Sequence, residues 1–186
     1  MAEVEVRWGK GARWRKGSHY SVLNRWLDHS AALATELLDY SGQIHPFHDN
    51  ENSAVGLLVA GAARAGFLPL TEYRLRKRSW HDGRKWQGGR ADLWFCTAGK
   101  AYSFEFKYAK ATTTRANLEW KMYWADRDIA RVPRSESDHA FSGVIAPIGP
   151  GSRDNMHERF ATEVDFWCVL SATDAFTTYL FFNQKC

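Results

Sequence analysis

The sequence contains little cysteine, and its cysteines show no paired spacing. Cys96, Cys168 and Cys186 are an odd number at distant positions, which argues against a disulfide framework and favours a reducing compartment. No run of about 18 apolar residues occurs, so a membrane-spanning helix is not expected. The N-terminus also lacks the apolar stretch of a signal peptide. We therefore expect a cytoplasmic protein without a membrane partner.

The chain also lacks internal repeats, low-complexity tracts and a segment that reads as a linker. At 186 residues, of which 45% are hydrophobic and 15% aromatic, it is long enough for one well-packed domain and short for two. We expect a single domain over 1–186, with a basic arm and helix over 1–45 and a core over 51–150. A homo-oligomer stays open, because the composition does not bear on it.

Acidic residues are almost absent from two basic segments. Residues 7–16 and 74–90 contain five and seven of the 25 Lys and Arg residues, whereas Asp82 is the only acid in either segment. Tryptophans are interleaved with these cations, a composition that suits phosphates and unstacked bases. The alternative is a solvated hairpin whose tryptophans pack on the core. The candidate nucleic-acid-binding residues are those of the second segment: Arg74, Arg76, Lys77, Arg78, Arg84, Lys85 and Arg90.

Hydrophobic spacing predicts an α/β arrangement of helices and strands. Helices are predicted over 18–40, 50–66 and 112–132, and Asn50 and Gly66 are typical cap residues of the second helix. In the third helix, Trp120 and Trp124 lie opposite the apolar stripe, where packing under a second layer is favoured over a binding surface. Strands are predicted over 70–78, 90–96, 101–108, 141–148, 164–170 and 177–183.

Charged residues interrupt the most hydrophobic of the predicted hairpins. In the strand over 101–108, Glu105 and Lys107 share one face and aromatic residues occupy the other. A turn centred on Ala98-Gly99 pairs residues whose numbers sum to 197, which places Asp92 opposite Glu105. Directly opposed like charges destabilise a sheet, and a cation between them would reverse the sign. Because Mg2+ is commonly held by one or two carboxylates, this pair is a candidate metal site.

A further carboxylate stands in an unusual place at the start of the second predicted helix. Glu51 lies four residues before Val55 and seven before Leu58, so it shares their apolar face. Either Glu51 interacts favourably with the helix N-terminus, or it belongs to the same site as Asp92. Glu72, in the strand over 70–78, is an alternative for that second role.

These residues resemble the PD-(D/E)XK, or restriction-endonuclease-like, nuclease superfamily. The resemblance covers residues 51–131, extends to the strand near Val144, and departs from the pattern in having Ala91 where the name expects Pro. It implies an α/β fold whose αβββαβ core is a central mixed β-sheet with flanking helices, preceded here by an N-terminal helical extension. The family's acid on the first helix, Asp on the second strand and Glu-x-Lys on the third correspond to Glu51, Asp92, Glu105 and Lys107.

The resemblance implies a Mg2+-dependent nuclease that hydrolyses phosphodiester bonds, with DNA expected more than RNA and with Mn2+ able to replace Mg2+. Asp92 and Glu105 would hold the metal, Glu51 would be a further acid of the metal site, and Lys107 would orient the attacking water. Whether Glu51 or Glu72 is the third acid stays open. A second Glu-x-Lys match, at residues 119–121, lies on a predicted helix, where residues two apart point in different directions.

Three other functions compete with this interpretation. The domain could be a nucleic-acid binder without catalysis, although the intact Glu-x-Lys speaks against that. Its basic, tryptophan-rich segments could instead bind a protein partner. A glycosidase would also use two carboxylates, but Lys107 and the basic flanks fit a phosphate better.

Overall fold

The computed structural model of the chain describes residues 4–9, 19–41, 46–79, 81–82, 84–149, 155–172 and 176–185. Its helices are α1 (His19–Ser41), α2 (Pro46–Asp49), α3 (Glu51–Arg64), α4 (Arg115–Ile129) and α5 (Asn155–Ala161). Its strands are β1 (Val4–Trp8), β2 (Leu68–Arg78), β3 (Trp86–Thr97), β4 (Lys100–Tyr108), β5 (His139–Ile148), β6 (Phe166–Ala172) and β7 (Phe176–Gln184). Within the described residues, these strands form one seven-stranded sheet in the order β1-β6-β7-β5-β4-β3-β2.

The sheet is mixed. β4 and β5 run parallel, and the other neighbouring pairs in the described part of the chain are antiparallel. A parallel connection requires a crossover, which α4 supplies between β4 and β5. The fold is therefore α/β, with helices flanking a mixed sheet, as expected at this level.

Helices α1 and α3 cover one face of the sheet. The ring of Trp26, which is fully buried, lies 5.4 Å from that of Phe95 and 4.8 Å from that of Phe104. Its indole N–H donates to the Leu58 carbonyl of α3 at 2.7 Å, so the polar end of this large side chain is satisfied. At Gly61 a Cβ would lie 2.9 Å from the Ser30 Cα, so the glycine allows α1 and α3 to approach closely.

Helix α4 covers the opposite face. Its predicted apolar stripe is confirmed, because Leu118, Met122, Ala125 and Ile129 are all buried. The expected packing of the two tryptophans is wrong for Trp120, which is 56% exposed, whereas Trp124 is half-buried. The second Glu-x-Lys match does lie on α4, where Glu119 pairs with Arg115 at 2.8 Å.

The predicted helices and strands all exist, and the described residues contain three further elements that were not predicted. These are β1, α2 and α5, which are short: five, four and seven residues. The basic arm expected before the first helix contains β1, an edge strand that pairs with β6. The remaining cations of the first basic segment, at 10–16, lie outside the described residues, as does Cys186. Cys96 and Cys168 are free thiols.

None of the helices in the described part of the chain combines the length and the apolarity that crossing a membrane requires.

Candidate functional site

The hairpin of β3 and β4 has the predicted register. Its turn residues, Ala98 and Gly99, have φ values of 50° and 74°, as a two-residue type I′ turn requires. Trp94 pairs with Ser103, and the ladder continues to the pair of Leu93 and Phe104. It ends there, one step before the expected pair of Asp92 and Glu105.

Strand β3 loses its regular alternation at Asp92. Leu93 packs in the core under α1 and α3, whereas Ala91 packs with Ile129 on the α4 side. Residues two apart in a regular strand share a face, so the strand is distorted between them. Glu72, at the corresponding level of β2, has a φ of 47°, which is uncommon for a residue other than glycine. Both strands are therefore irregular at the level of Asp92.

The Asp92 side chain bonds to β4 at the point where the backbone ladder between β3 and β4 ends. Its Oδ2 accepts a hydrogen bond from the Phe106 backbone N–H at 2.6 Å. Burial raises the pKa of Asp92 to about 6; Glu51 acts in the same direction, while the Phe106 N–H, Lys107 and Lys77 oppose it. The carboxylate is thus fixed beside β4 in water-poor surroundings, within electrostatic reach of a second acid.

Glu105 is the most deeply buried acid of the site, with 3% of the residue exposed. Burial raises its pKa to about 7, and the charge of Asp92 is the next largest cause, so Asp92 lies within electrostatic reach of Glu105. A cation is already present, however, because Lys77 Nζ donates to Glu105 Oε1. The positive charge of Lys77 therefore partly compensates the two negative charges of Asp92 and Glu105.

Lys107 is held by an acid that the sequence analysis missed. Its Nζ lies 3.0 Å from Asp128 Oδ2 near the end of α4, and both side chains are about three-quarters buried. Burial lowers the pKa of Lys107, but the hydrogen bond and charge of Asp128, with Asp92 and Glu105, outweigh it and raise the pKa. Only the packing of α4 on β4 brings Asp128 here, so no local pattern could have identified it. We call Lys77, Asp92, Glu105, Lys107 and Asp128 the acid–lysine cluster.

Glu51 lies beside this cluster because of the way α3 begins. Asn50 caps the helix as predicted, accepting from the Ser53 N–H at 3.0 Å. The next residue, Glu51, accepts a hydrogen bond from the Tyr108 backbone N–H at 2.9 Å. The carboxylate thus joins the start of α3 to the end of β4 and acts electrostatically on Asp92.

A cavity of about 280 Å³ opens between α3 and the distorted part of β2 and β3. Glu51 and Glu72 both line it, so both candidates for the third acid stand near Asp92. The two acids differ in their partners. Glu51 accepts from the Tyr108 backbone N–H, whereas Glu72 pairs with Arg90 at 3.1 Å and both of those side chains are more than 60% exposed. The lining residues are Glu51, Asn52, Val55, Gly56, Thr71, Glu72 and Asp92.

The second basic segment, residues 74–90 of β2, β3 and their connection, forms a hairpin that we call the basic hairpin. Arg76 and Arg78 lie over the ring of Trp86, at 5.4 and 4.9 Å from its centroid to each guanidinium carbon. The expectation is wrong for Lys77, which is 5% exposed and lies in the acid–lysine cluster. The other six candidates are exposed: Arg74, Arg76, Arg78, Arg84, Lys85 and Arg90.

The donor set fits a divalent cation in part. Asp92 and Glu105 supply two neighbouring carboxylates, the oxygen ligands that Mg2+ prefers. Among the described residues, however, no group of three or more His, Cys, Asp or Glu side chains is arranged to hold a metal ion. Lys77 also occupies one oxygen of Glu105. A metal at this pair would therefore share the Glu105 carboxylate with the Lys77 ammonium.

Comparison with protein-family models, curated proteins and solved structures gives no match to this chain. The class that the fold defines is α/β, with a seven-stranded mixed sheet between helices in the described residues.

Proposed function

We propose that this protein is a metal-dependent nuclease of the PD-(D/E)XK type, which hydrolyses phosphodiester bonds of nucleic acid, DNA more than RNA. The observation that carries the proposal is the bond of the Asp92 carboxylate to the Phe106 backbone N–H, between Glu105 and Lys107 on β4. The charge of Asp92 acts on both of these neighbours. The order α3, β2, β3, β4, α4, β5 also agrees with the αβββαβ core of that superfamily. Glu51 stands at the start of the first helix of this core.

Each side chain has a role that its position supports. Asp92 and Glu105 would hold Mg2+ or Mn2+, which when bound polarises a phosphoryl oxygen and lowers the pKa of a water. Lys107 carries a fixed positive charge next to both acids, where it stabilises negative charge developing on a phosphate. Asp128 positions the Lys107 ammonium, and Glu51 fixes the end of β4 from which Lys107 projects.

The basic hairpin supplies affinity for the substrate. Four of its six exposed cations lie on the strands that carry Lys77 and Asp92, and Arg84 and Lys85 lie in the connection between them. A phosphate backbone bound along these strands would pass close to the acid–lysine cluster. Contacts of this kind position a nucleic acid but carry little sequence information.

A second candidate is a nucleic-acid-binding module of the same fold without catalysis. The ion pair of Lys77 and Glu105 favours it, because a protein cation already stands where the metal would bind. The basic hairpin would serve this function equally well.

One experiment separates the two candidates. Purified protein is incubated with plasmid, single-stranded DNA and RNA in Mg2+, Mn2+ or EDTA, and Asp92→Asn and Lys121→Ala are assayed beside the wild type. Metal-dependent cleavage that Asp92→Asn loses and Lys121→Ala keeps supports the nuclease. Salt-sensitive binding without cleavage in any metal supports the binding module, and neither cleavage nor binding overturns both.

A further inference from the structure

Lys77 differs from every other basic residue of the basic hairpin in being buried. Its side chain is 7% exposed and that of its partner Glu105 is 4% exposed. A lysine on β2 reaches an acid on β4, although β3 lies between these strands. Burying a charged pair costs more desolvation than a surface pair, so its presence here calls for a physical account.

The path of the Lys77 side chain depends on a glycine of β3. A Cβ at Gly89 would lie 2.6 Å from Lys77 Cδ and 2.8 Å from Cγ, closer than such atoms approach. The aliphatic part of Lys77 therefore lies across Gly89, and Ala91, further along β3, is also small and buried. At the neighbouring Gly88, a Cβ would meet nothing within 4 Å. The lysine thus lies in a channel that the sequence of β3 leaves open.

The Lys77 ammonium and a divalent cation would compete for one carboxylate. Lys77 occupies Oε1 of Glu105, so a divalent cation on the same buried carboxylate would place a second positive charge beside the ammonium. The two charges would repel each other strongly, because little solvent screens them. Lys107 does not compete in this way, because its ammonium pairs with Asp128.

We propose that Lys77 is a resident cation of the metal site, which neutralises Glu105 in the metal-free protein and withdraws when a divalent cation binds Asp92 and Glu105. This inference rests on the proposed metal-dependent function.

The test measures metal affinity without nucleic acid, by calorimetric titration and by the metal dependence of thermal unfolding. Lys77→Met removes the competing charge. Gly89→Ala keeps every charge but displaces the Lys77 side chain from its channel. Both variants should bind Mg2+ and Mn2+ about tenfold more tightly than wild type, or better. The matched controls are Lys85→Met, which removes an exposed lysine of the same hairpin, and Gly88→Ala, whose added methyl meets open space.

The outcomes separate this inference from the proposed function. Tighter binding by Lys77→Met and Gly89→Ala, with both controls like wild type, supports it. If wild type, Lys77→Met and Gly89→Ala bind the metal with equal affinity and Asp92→Asn does not bind it, the metal site stands. The proposed role of Lys77 is then overturned. If wild type and the folded variants all bind no metal, the proposed function itself is overturned. If Lys77→Met does not fold, Gly89→Ala decides alone, and wild-type affinity in that variant overturns the inference.

Discussion

Two groups of carboxylates that are buried or half-buried lie near α4, and they differ in the groups that bond to them. Asp126 accepts hydrogen bonds from Ser142 Oγ and from Asn183 Nδ2, the latter at 3.1 and 3.2 Å to its two oxygens. We call these residues the Asp126 group. Its partners are neutral, whereas Glu105 in the acid–lysine cluster pairs with Lys77 and lies within electrostatic reach of Asp92. The Asp126 carboxylate thus bonds to neutral donors, while Glu105 bonds to a cation.

Burial acts in the same direction on the carboxylates of the Asp126 group and of the acid–lysine cluster. Burial raises the pKa of Asp126, while Ser142 and Asn183 lower it and Asp165 adds a smaller increase. In the acid–lysine cluster the first cause is also burial. The difference therefore lies in the partners, and it predicts that one group serves stability and the other chemistry.

The largest expected difference between the two groups is in catalysis. Asp92→Asn, Glu105→Gln and Lys107→Ala should each lower turnover by about 10²-fold to 10³-fold or more, since under the proposed function each would remove a metal ligand or a charge at the reacting phosphate. Asp126→Asn should keep most of the turnover at a temperature where it is folded. The measurement is the cleavage rate at saturating metal and substrate. An Asp126→Asn variant as inactive as Asp92→Asn would remove the distinction.

Nucleic-acid binding should depend on the exposed part of the basic hairpin. Reversing Arg76 and Arg78 together to Glu should weaken binding alike on all sequences and reduce the salt slope of the binding constant by about one for each phosphate that the variant no longer binds. Lys77 is left unchanged, because it is buried. The control reverses Arg64 and Arg115, which pair with acids elsewhere on the surface. A salt slope that changes equally in both variants would show that only net charge matters.

Substitution in the Asp126 group should lower the free energy of unfolding more than substitution in the acid–lysine cluster. Asp126→Ala leaves the Asn183 side-chain amide without its acceptor and Ser142 Oγ with only the Asn183 carbonyl at 3.4 Å, which costs about 1–3 kcal/mol of the free energy of unfolding. That loss corresponds to a melting temperature lower by roughly 2–4 °C per kcal/mol for a chain of this size. Thermal unfolding in EDTA checks it. Asp92→Asn keeps an oxygen for the Phe106 N–H and should melt at or above wild type in EDTA, so a larger loss there than in Asp126→Ala would reverse the comparison.

The acid–lysine cluster should give the metal-free protein a characteristic pH dependence. The folded pKa values of Asp92 and Glu105, about 6 and about 7, exceed the ordinary values of about 3.9 and 4.3. The folded state therefore binds more protons than the unfolded state between about pH 4 and pH 7, and the free energy of unfolding falls as the pH rises through that range.

Thermal unfolding from pH 5 to pH 8 in EDTA should show this fall, and it should be smaller in Asp92→Asn. Excess Mg2+ should reduce the fall in wild type, because the metal binds the ionised carboxylates. A metal-free stability that rises over this range would contradict the burial of both acids.

Local patterns predicted the parts of the site that neighbouring residues determine. The two-residue turn at 98–99 fixed the register of β3 and β4, and alternation in β4 placed Glu105 and Lys107 on one face. The Asn50 cap likewise fixed the start of α3, and with it the position of Glu51.

The remainder of the site depends on tertiary structure. The alternation of apolar and polar residues assumes a regular strand, so it does not predict the distortion at Glu72 and Asp92. The burial of Lys77 also depends on Gly89, which reads in the sequence only as a turn residue. Asp128 reaches Lys107 because of the packing of α4, which no spacing within α4 specifies. Contacts between distant elements are thus what sequence periodicity leaves out.

The binding of a divalent cation by Asp92 and Glu105 is tested most directly by thermal unfolding of wild type and Asp92→Asn in EDTA and in excess Mg2+ or Mn2+. A metal that binds only the folded state stabilises it by RT ln(1 + [L]/Kd), and an amide is a poorer ligand than a carboxylate for a hard cation. We expect metal to raise the melting temperature of wild type and barely to move that of Asp92→Asn. Equal metal-induced shifts in the two proteins would contradict a metal site at this pair.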